Sequence, residues 1–339
     1  MPERAEEITG FLVRAGWDGA ARQPLAGDAS NRRYERLTGG PDGGHAVLMD
    51  APPATGEDVR PFLRIAQHLS ALGLSAPRIL AQAPEAGLLL LEDLGDDLYA
   101  RVTAHDPARQ DELYAAAIDL LAALHKAPPP QDLAAYDAKT MAELACLPFQ
   151  WYLPGLGGGA PDAESDAFQA ELETNLAEIA PPSVLILRDF HAENLIWLPR
   201  RAGVARVGLL DFQDARLGHP AYDLVSLLED ARRNVPADLQ IRMRARYVSA
   251  TGQDPDGFAR AYALLGAQRN LRIIGVFARL CLRDGKPGYL PMLPRVWGHL
   301  MRDLAHPDLA GLRARCLALL PEPDPDILDR IASRCSPTR

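Results

Sequence analysis

Two short motifs in the second half of the sequence carry polar side chains at spacings suited to phosphoryl transfer. Asp189 stands five residues before Asn194, and Asp211 follows seventeen residues later. Transfer of a phosphoryl group from a nucleotide needs a carboxylate that accepts the proton of the attacking hydroxyl, and oxygen ligands for the Mg²⁺ that bridges the phosphates. We therefore predict Asp189 as the catalytic base and Asn194 and Asp211 as metal ligands.

Short apolar segments flank both motifs and predict the strands that position them. These segments are residues 184–187, 195–198 and 207–210, and their length and composition are typical of buried strands. A connection of loop, hairpin and strand would bring the separated polar residues together. A single Asp and Asn at this spacing recurs by chance in long chains, but the second aspartate and the flanking strands argue against coincidence.

The two motifs resemble the catalytic and metal loops of the protein-kinase-like fold, because Arg188-Asp189 and Asn194 are followed by Asp211-Phe212. His191 inside the first loop, and the run at residues 211–224, resemble more closely the branch that contains the aminoglycoside phosphotransferases and choline kinases. That resemblance implies an α+β, bilobal protein-kinase-like fold, with a small lobe built on an antiparallel sheet and a large, mainly helical lobe.

Within that branch, one family is similar over most of the chain. Residues 27–34, 47–53, 90–95, 268–273 and 277–286 resemble the anomeric N-acetylmuramate/N-acetylglucosamine kinases of bacterial cell-wall recycling. The resemblance implies transfer of the γ-phosphate of ATP, with Mg²⁺, to the C1 hydroxyl of a free amino sugar. The product would be a sugar 1-phosphate for peptidoglycan recycling.

Composition limits the partners of this chain of 339 residues, whose formal net charge is −9. An acidic surface disfavours nucleic acid, since affinity for the phosphate backbone comes from basic residues. Apolar runs fall well short of the about 20 residues that cross a bilayer, and the first residues do not read as a secretory signal. We predict a cytoplasmic enzyme with reduced cysteines that binds neither nucleic acid nor a membrane and needs no obligate protein partner. Its small amino-sugar substrate is what the family resemblance implies.

Hydrophobic patterning predicts strands near the start and helices afterwards. We expect a strand at residues 46–50, a helix capped by Asp58 and ended by Gly73, and a strand at 88–91. These features predict an N-terminal lobe over residues 1–94 and a C-terminal lobe over 95–339, with a mobile loop at 155–166. The predicted helices of the second lobe cover residues 113–124, 224–232, 239–249, 258–283, 296–304 and 309–320.

The nucleotide is expected to contact a turn-rich segment and a hinge. Backbone N–H groups of the turn can approach phosphates, and main-chain groups of the hinge would bind adenine. The predicted residues are Gly27, Asp28, Ala29, Ser30 and Asn31 in the turn, and Glu92 and Leu94 at the hinge. A simple hairpin entry and an ordinary buried strand are the alternative interpretations.

Protein kinases hold the phosphates with a lysine on the third strand, paired with a helix glutamate. In this sequence the first lysine is Lys126, and the acids of the following helix are confined to its start, at Glu57 and Asp58. Either an arginine replaces the lysine or the lobe depends on backbone groups and Mg²⁺. We predict Arg33 as the replacement, because a guanidinium can hold phosphate oxygens in pairs; its alternative is a solvated strand arginine.

The acceptor is expected to bind through aromatic, polar and arginine side chains. The candidates are His191, Glu193, Trp151, Gln268, Arg269 and Arg272. Each has a structural alternative: Trp151 as a core aromatic, His191 as a brace of its loop, and the three residues of the 268–272 stretch as exposed groups or members of an ion pair. Asp223 is predicted to be a helix cap or a loop brace.

Three rival functions remain open at this level. A kinase of another acceptor, such as an aminoglycoside or choline, would need an acidic or aromatic pocket for a cation. A noncatalytic nucleotide-binding pseudokinase would bind ATP without turnover. A protein kinase would need a long activation segment, but only eight residues separate Gln213 from Tyr222.

Overall fold

The computed structural model describes residues 2–25, 31–179 and 181–336. The chain divides into two compact units. Unit 1 comprises Met1–Leu120 and Ala192–Ala215, and unit 2 comprises Leu121–His191 and Arg216–Arg339. The predicted division into lobes at residues 1–94 and 95–339 stays a prediction.

Strands are concentrated in the first 92 residues and at residues 184–218, and helices make up most of the remaining described chain. The strands are β1 (Ala21–Pro24), β2 (Arg33–Thr38), β3 (His45–Asp50), β4 (Ile79–Ala83), β5 (Leu88–Glu92), β6 (Val184–Ile186), β7 (Leu195–Trp197), β8 (Val207–Leu209) and β9 (Arg216–Gly218). The helices are α1 (Pro2–Arg14), α2 (Arg60–Ala71), α3 (Tyr99–His105), α4 (Gln110–Lys126), α5 (Ala138–Ala145), α6 (Leu147–Gln150), α7 (Tyr152–Gly155), α8 (Asp162–Glu178), α9 (Ala221–Leu228), α10 (Ala237–Thr251), α11 (Pro255–Leu282), α12 (Leu293–Asp303), α13 (Ala310–Leu319) and α14 (Pro325–Ala332).

Unit 1 is built on a sheet of five antiparallel strands in the order β1-β2-β3-β5-β4. The predicted strands at residues 46–50 and 88–91 become β3 and β5, next to each other in the middle of the sheet. Helix α1 was not predicted, although Ile8, Phe11 and Leu12 repeat at helical spacing and pack with Leu48 and Leu90 in one core cluster. The expected antiparallel sheet is confirmed.

Helix α2 follows the predicted pattern closely. Phe62, Ile65 and Leu69 are buried, as expected for apolar positions on one helix face. The helix begins at Arg60, and Asp58 Oδ1 accepts the Arg60 N–H at 3.0 Å. The cap residue by geometry is Val59, so Asp58 supports the first turn from one position further out than predicted.

Gly87 is needed where the chain enters β5. Its φ is +65°, and a Cβ at this position would lie 1.9 Å from the Ala51 carbonyl oxygen. Gly87→Ala is therefore expected to lower the free energy of unfolding by about 2–3 kcal/mol, from backbone strain and this contact. Gly73→Ala is the control, since φ there is +75° with no atom within 4 Å, and it should cost about 1 kcal/mol. Chemical denaturation measures both; equal losses would refute a role for the contact.

A second hairpin of unit 1, formed by β7 and β8, is tied to the rest of the unit by backbone hydrogen bonds. The Leu209 N–H donates to the Ser75 carbonyl at 2.9 Å, and the Trp197 N–H donates to the Asp97 carbonyl at 2.8 Å. The Ser75 hydroxyl donates to the Ala205 carbonyl at 2.6 Å. The hairpin is therefore fixed at its strands, which hold the predicted metal ligands at their ends.

Unit 2 is mainly helical, and β6 and β9 form a short antiparallel pair in it. Long predicted helices are present, with ends shifted by a few residues; α11 begins at Pro255 because Asp254 accepts the Gly257 N–H. A loop was predicted at residues 155–166, but α8 already begins at Asp162. Acidic residues suit its first turn, and Phe168, Leu172 and Leu176 bury one face. Among the described residues, no helix has the length and hydropathy that crossing a bilayer requires.

Candidate active site

The predicted metal ligands lie together at one end of the β7–β8 hairpin. Asn194 immediately precedes β7, and Asp211 stands two residues after β8. Pairing of Leu195 with Leu209 brings these ends side by side, and the Leu210 N–H donates to the Asn194 carbonyl at 2.9 Å. Asn194 Nδ2 lies 3.4 Å from Asp211 Oδ2. Residues separated by seventeen positions thus become neighbours through an ordinary antiparallel hairpin.

The backbone at Asp211 is in the left-handed region, with φ of 56°. Such a conformation costs a non-glycine residue of the order of 1–3 kcal/mol and is frequent at functional sites. Gln213 Nε2 donates to Asp211 Oδ1 at 2.6 Å. The next residue, Phe212, is fully buried and stacks on Phe62 of α2 at 4.8 Å between ring centroids. Packing and a hydrogen bond therefore orient this carboxylate.

The donor set of this pair fits Mg²⁺. A carboxylate and an amide offer the hard oxygen ligands that Mg²⁺ prefers, and Mg²⁺ usually keeps waters and substrate phosphates in its remaining positions. The described residues contain no group of three or more His, Cys, Asp or Glu side chains arranged to hold a metal. Asn194 and Asp211 are therefore suited to an ion shared with a nucleotide rather than one enclosed by protein ligands.

In unit 2, a buried aspartate fixes the backbone that leads to Asp189. Asp223 is fully buried near the start of α9, and its carboxylate accepts the N–H groups of Leu187 at 2.6 Å and Arg188 at 2.9 Å. Burial raises the pKa of Asp223 to about 7, and the two N–H donors act against that rise. Of the two predicted roles, the structure supports the loop brace.

Arg269 supports the same backbone from α11. It is buried, and its Nη2 donates to the Ser226 hydroxyl at 2.9 Å, which in turn donates to the Arg188 carbonyl at 3.2 Å. Arg188 has φ of 68°, so this segment stores strain of the same kind as Asp211. Two independent contacts, from Asp223 and from the pair of Ser226 and Arg269, therefore hold the residue that precedes Asp189.

His191 lies inside the loop as a buried side chain. The backbone N–H of His191 donates to the Asp189 carbonyl at 3.1 Å. In the side chain, Nε2 lies 3.5 Å from Arg232 Nη1. Burial lowers the pKa of His191 to about 4, so the ring is neutral at pH 7. The contact with Arg232 was not among the predicted interactions.

The other acceptor candidates differ in exposure. Gln268 is fully buried: its Nε2 donates to the Met141 carbonyl at 2.9 Å, and its Oε1 has no partner among the described residues, so its role at the acceptor stays a prediction. Burial acts to lower the pKa of Arg272, but Tyr222, Tyr136 and Asp189 raise it overall. Trp151 and Glu193 are half-buried. Asp189 therefore acts electrostatically on Arg272, which is one of the predicted acceptor residues.

Of the predicted phosphate-binding turn, Gly27, Asp28, Ala29 and Ser30 lie outside the described residues. Asn31 is described, and its N–H donates to Glu57 Oε1 at 3.3 Å. The adjacent Arg32 donates through Nε to Glu57 Oε2 at 2.8 Å, with both side chains 14% exposed. Arg33, the predicted substitute for the strand lysine, is exposed at the start of β2. The arginine that pairs with Glu57 is thus Arg32 and not the predicted Arg33.

The predicted hinge begins with Glu92 at the end of β5. The Glu92 N–H donates to the Arg78 carbonyl at 2.8 Å, so this N–H is engaged within the protein. Its carboxylate pairs with Arg201 at 2.8 Å and Arg78 at 3.2 Å. Leu94 is buried two residues on. A contact between adenine and Glu92 would therefore use a group other than this N–H.

These features are those of a kinase-like phosphotransferase. One unit is built on an antiparallel sheet and carries the Asn194–Asp211 pair, and the other is mainly helical and carries the Asp189 loop. The chain belongs to the phosphotransferase enzyme family, whose model matches residues 21–264. The expected protein-kinase-like fold and the expected branch are both confirmed.

Curated relatives resemble nearly the whole chain. The N-acetylmuramate/N-acetylglucosamine kinase of Caulobacter vibrioides is 41% identical, over 92% of this chain and 95% of its own. The protein of the same name from Pseudomonas aeruginosa is 39% identical, over 92% and 93%. The one from Neisseria meningitidis serogroup B is 34% identical, over 87% and 89%. The resemblance predicted from the sequence is therefore confirmed.

Solved structures share the fold at low identity. A choline/ethanolamine kinase family protein from Mesorhizobium loti superposes with a TM-score of 0.61 at 15% identity, covering 92% of this chain and 98% of that one. The ADP-bound aminoglycoside phosphotransferase APH(2'')-Ib gives a TM-score of 0.61 at 13% identity, covering 88% and 97%. These likenesses establish the architecture.

Proposed function

We propose that this protein is an ATP-dependent kinase that phosphorylates the anomeric C1 hydroxyl of N-acetylmuramate and N-acetylglucosamine, as a step of peptidoglycan recycling. The observation that carries the proposal is the 41% identity, over 92% of the chain, to a relative named for these two sugars. The Asn194–Asp211 pair, 3.4 Å apart at the hairpin end, supports the nucleotide chemistry independently. We infer a cytoplasmic location, where ATP is available.

Asp189 is proposed to orient the anomeric hydroxyl and accept its proton. As the bond between the C1 oxygen and the γ-phosphorus forms, the bond from that phosphorus to the bridging oxygen breaks, and ADP leaves. A hemiacetal hydroxyl is more acidic than an ordinary alcohol, so the base need not be strong. Most of the rate then comes from positioning and electrostatic stabilisation.

Asn194 and Asp211 are the proposed ligands of Mg²⁺, which when bound neutralises charge on the ATP phosphates. The hydrogen bond from Gln213 and the packing of Phe212 would keep the Asp211 carboxylate oriented before the nucleotide arrives. A chain with a net charge of −9 needs such a cation near a polyanionic substrate, because its own charge repels ATP. The proposed nucleotide contacts otherwise remain those predicted, at residues 27–31 and at the hinge.

Arg33→Ala and Arg32→Ala test which guanidinium replaces the strand lysine. If the predicted Arg33 contacts the phosphates, its variant is expected to raise the KM for ATP by about tenfold, the effect of one lost charge-assisted hydrogen bond. Steady-state kinetics at saturating sugar measure this. An unchanged KM in Arg33→Ala with a raised KM in Arg32→Ala would transfer the role to Arg32, which pairs with Glu57 just before α2.

The experiment that tests the function is ATP consumption against N-acetylmuramate, N-acetylglucosamine, an aminoglycoside and choline. Turnover with the two sugars is expected, and loss of their reducing ends would identify C1 as the phosphorylated position. Turnover only with the aminoglycoside or choline would replace the proposed acceptor. Binding of ATP without turnover of any of the four would instead indicate a pseudokinase.

A further inference from the structure

Arg232 is an exposed arginine beside the loop that carries Asp189. It lies in the segment after α9, and its Nη1 is 3.5 Å from Nε2 of His191. Among the residues that the structure describes, its guanidinium forms no ion pair with a carboxylate. The chain therefore has a solvent-accessible positive charge next to His191, a residue of the loop that carries the proposed base.

The acid nearest to Arg232 in sequence is already engaged. Asp230 is 1% exposed; its Oδ1 accepts the backbone N–H of Arg232 at 2.9 Å, and its Oδ2 accepts from Arg233 Nε at 3.1 Å. This carboxylate thus fixes the backbone of Arg232 while its charge is paired with Arg233. The arrangement positions the Arg232 side chain without neutralising it.

His191 is the neighbour that the Arg232 side chain contacts. Because Arg232 can only donate, the contact requires the lone pair of Nε2, which leaves the proton of the neutral ring on Nδ1. Nδ1 is buried and has no hydrogen-bond partner among the described residues. Because protein atoms enclose Nδ1, the ring contacts Arg232 through Nε2 and does not itself offer a donor to a ligand.

The other arginines on this side of unit 2 are less suited to an external anion. Arg269 is buried: its Nη2 donates to Ser226, and protein atoms enclose its Nε and Nη1, which have no partner among the described residues. Arg272 is half-buried, and the Asp189 carboxylate is among the groups that raise its pKa. Exposure distinguishes Arg232 from both, because a substrate carboxylate can reach its guanidinium from solvent.

We propose that Arg232 binds the lactyl carboxylate of N-acetylmuramate and so sets the preference between the two amino sugars. The inference rests on the proposed function. N-acetylglucosamine lacks that carboxylate but shares the ring and the amide, so a guanidinium at this point affects one substrate alone. Arginine suits the task, because its planar fork binds both oxygens of a carboxylate.

The test compares kcat/KM for both sugars in the wild type and in Arg232→Gln. The value for N-acetylmuramate is expected to fall by about 10–100-fold, as for a lost charge-assisted pair, and the value for N-acetylglucosamine to change less than about threefold. Arg232→Lys should recover part of the loss, since it restores the charge without the fork. The control is Arg242→Gln on α10, an exposed arginine paired with Asp238, which should leave both values unchanged.

A neutralised substrate provides a second measurement. The methyl ester of the lactyl group removes the charge from N-acetylmuramate, so its kcat/KM should be equal in the wild type and in Arg232→Gln. Equal losses with all three sugars would assign Arg232 to positioning of the loop and overturn the inference, as would no change with any of them. Wild-type turnover of N-acetylglucosamine tests the proposed function separately, so failure of the function is distinguished from failure of the inference.

Discussion

Asp189→Asn is expected to lower kcat by about 10²–10⁴-fold, the usual contribution of general base catalysis. Asparagine has nearly the same shape but cannot accept the proton of the anomeric hydroxyl. The backbone around it is held by Asp223 and by Ser226 with Arg269, none of which the substitution removes. Binding of ATP, measured by calorimetry, should therefore remain within about twofold of the wild type.

The control for this variant is Asp238→Asn, which removes an acid with 71% side-chain exposure on α10. Its kcat should equal that of the wild type in the same coupled assay. Retention of more than about a tenth of wild-type kcat in Asp189→Asn, at saturating sugar and ATP, would exclude Asp189 as the base. A parallel loss of ATP binding would instead assign Asp189 to the nucleotide.

Asp223→Ala is expected to have the largest effect on stability. Its carboxylate is the acceptor for the buried Leu187 N–H and the half-buried Arg188 N–H, and each N–H left without a partner costs about 1–3 kcal/mol. The free energy of unfolding should therefore fall by about 2–5 kcal/mol in chemical denaturation. Because the strained φ of Arg188 depends on this acceptor, kcat should fall even where the variant is fully folded.

Asp223→Asn separates the two effects in case the alanine variant does not fold. One amide oxygen can replace one acceptor, so stability should be intermediate while kcat stays reduced. The matched control is Asp303→Asn, another buried carboxyl of unit 2, which accepts from Asn270. A kcat for Asp223→Asn equal to that of this control would contradict a specific role for Asp223 in supporting the loop.

Local patterns in the sequence were sufficient for those elements whose residues interact mainly with near neighbours. Helix α2 was predicted because Phe62, Ile65 and Leu69 repeat at helical spacing. The structure buries all three, as that repeat requires. The start of α8 was predicted as loop because the preceding glycines and prolines dominate the window, whereas burial of Phe168 and Leu172 decides the structure. Such burial depends on tertiary packing that the local pattern does not contain.

In the candidate site too, the sequence was sufficient for local contacts and insufficient for those between distant residues. Asn194 and Asp211 could be paired from the sequence, since one short hairpin connects them. The bond from Leu187 to Asp223 spans 36 residues, and the approach of Arg232 to His191 spans 41. No local spacing encodes either contact. The complete burial of Gln268 and its hydrogen bond to Met141, 127 residues away, are likewise absent from any local pattern.

The distribution of lysine along the chain has a practical consequence for chemical labelling. All three lysines, Lys126, Lys139 and Lys286, belong to unit 2, so unit 1 with its Asn194–Asp211 pair offers no lysine amine. Acyl-phosphate derivatives of ATP, which mark nucleotide sites by acylating a nearby lysine, would find none in that unit. Guanidinium-directed reagents such as phenylglyoxal are the ones expected to report on nucleotide protection in this protein.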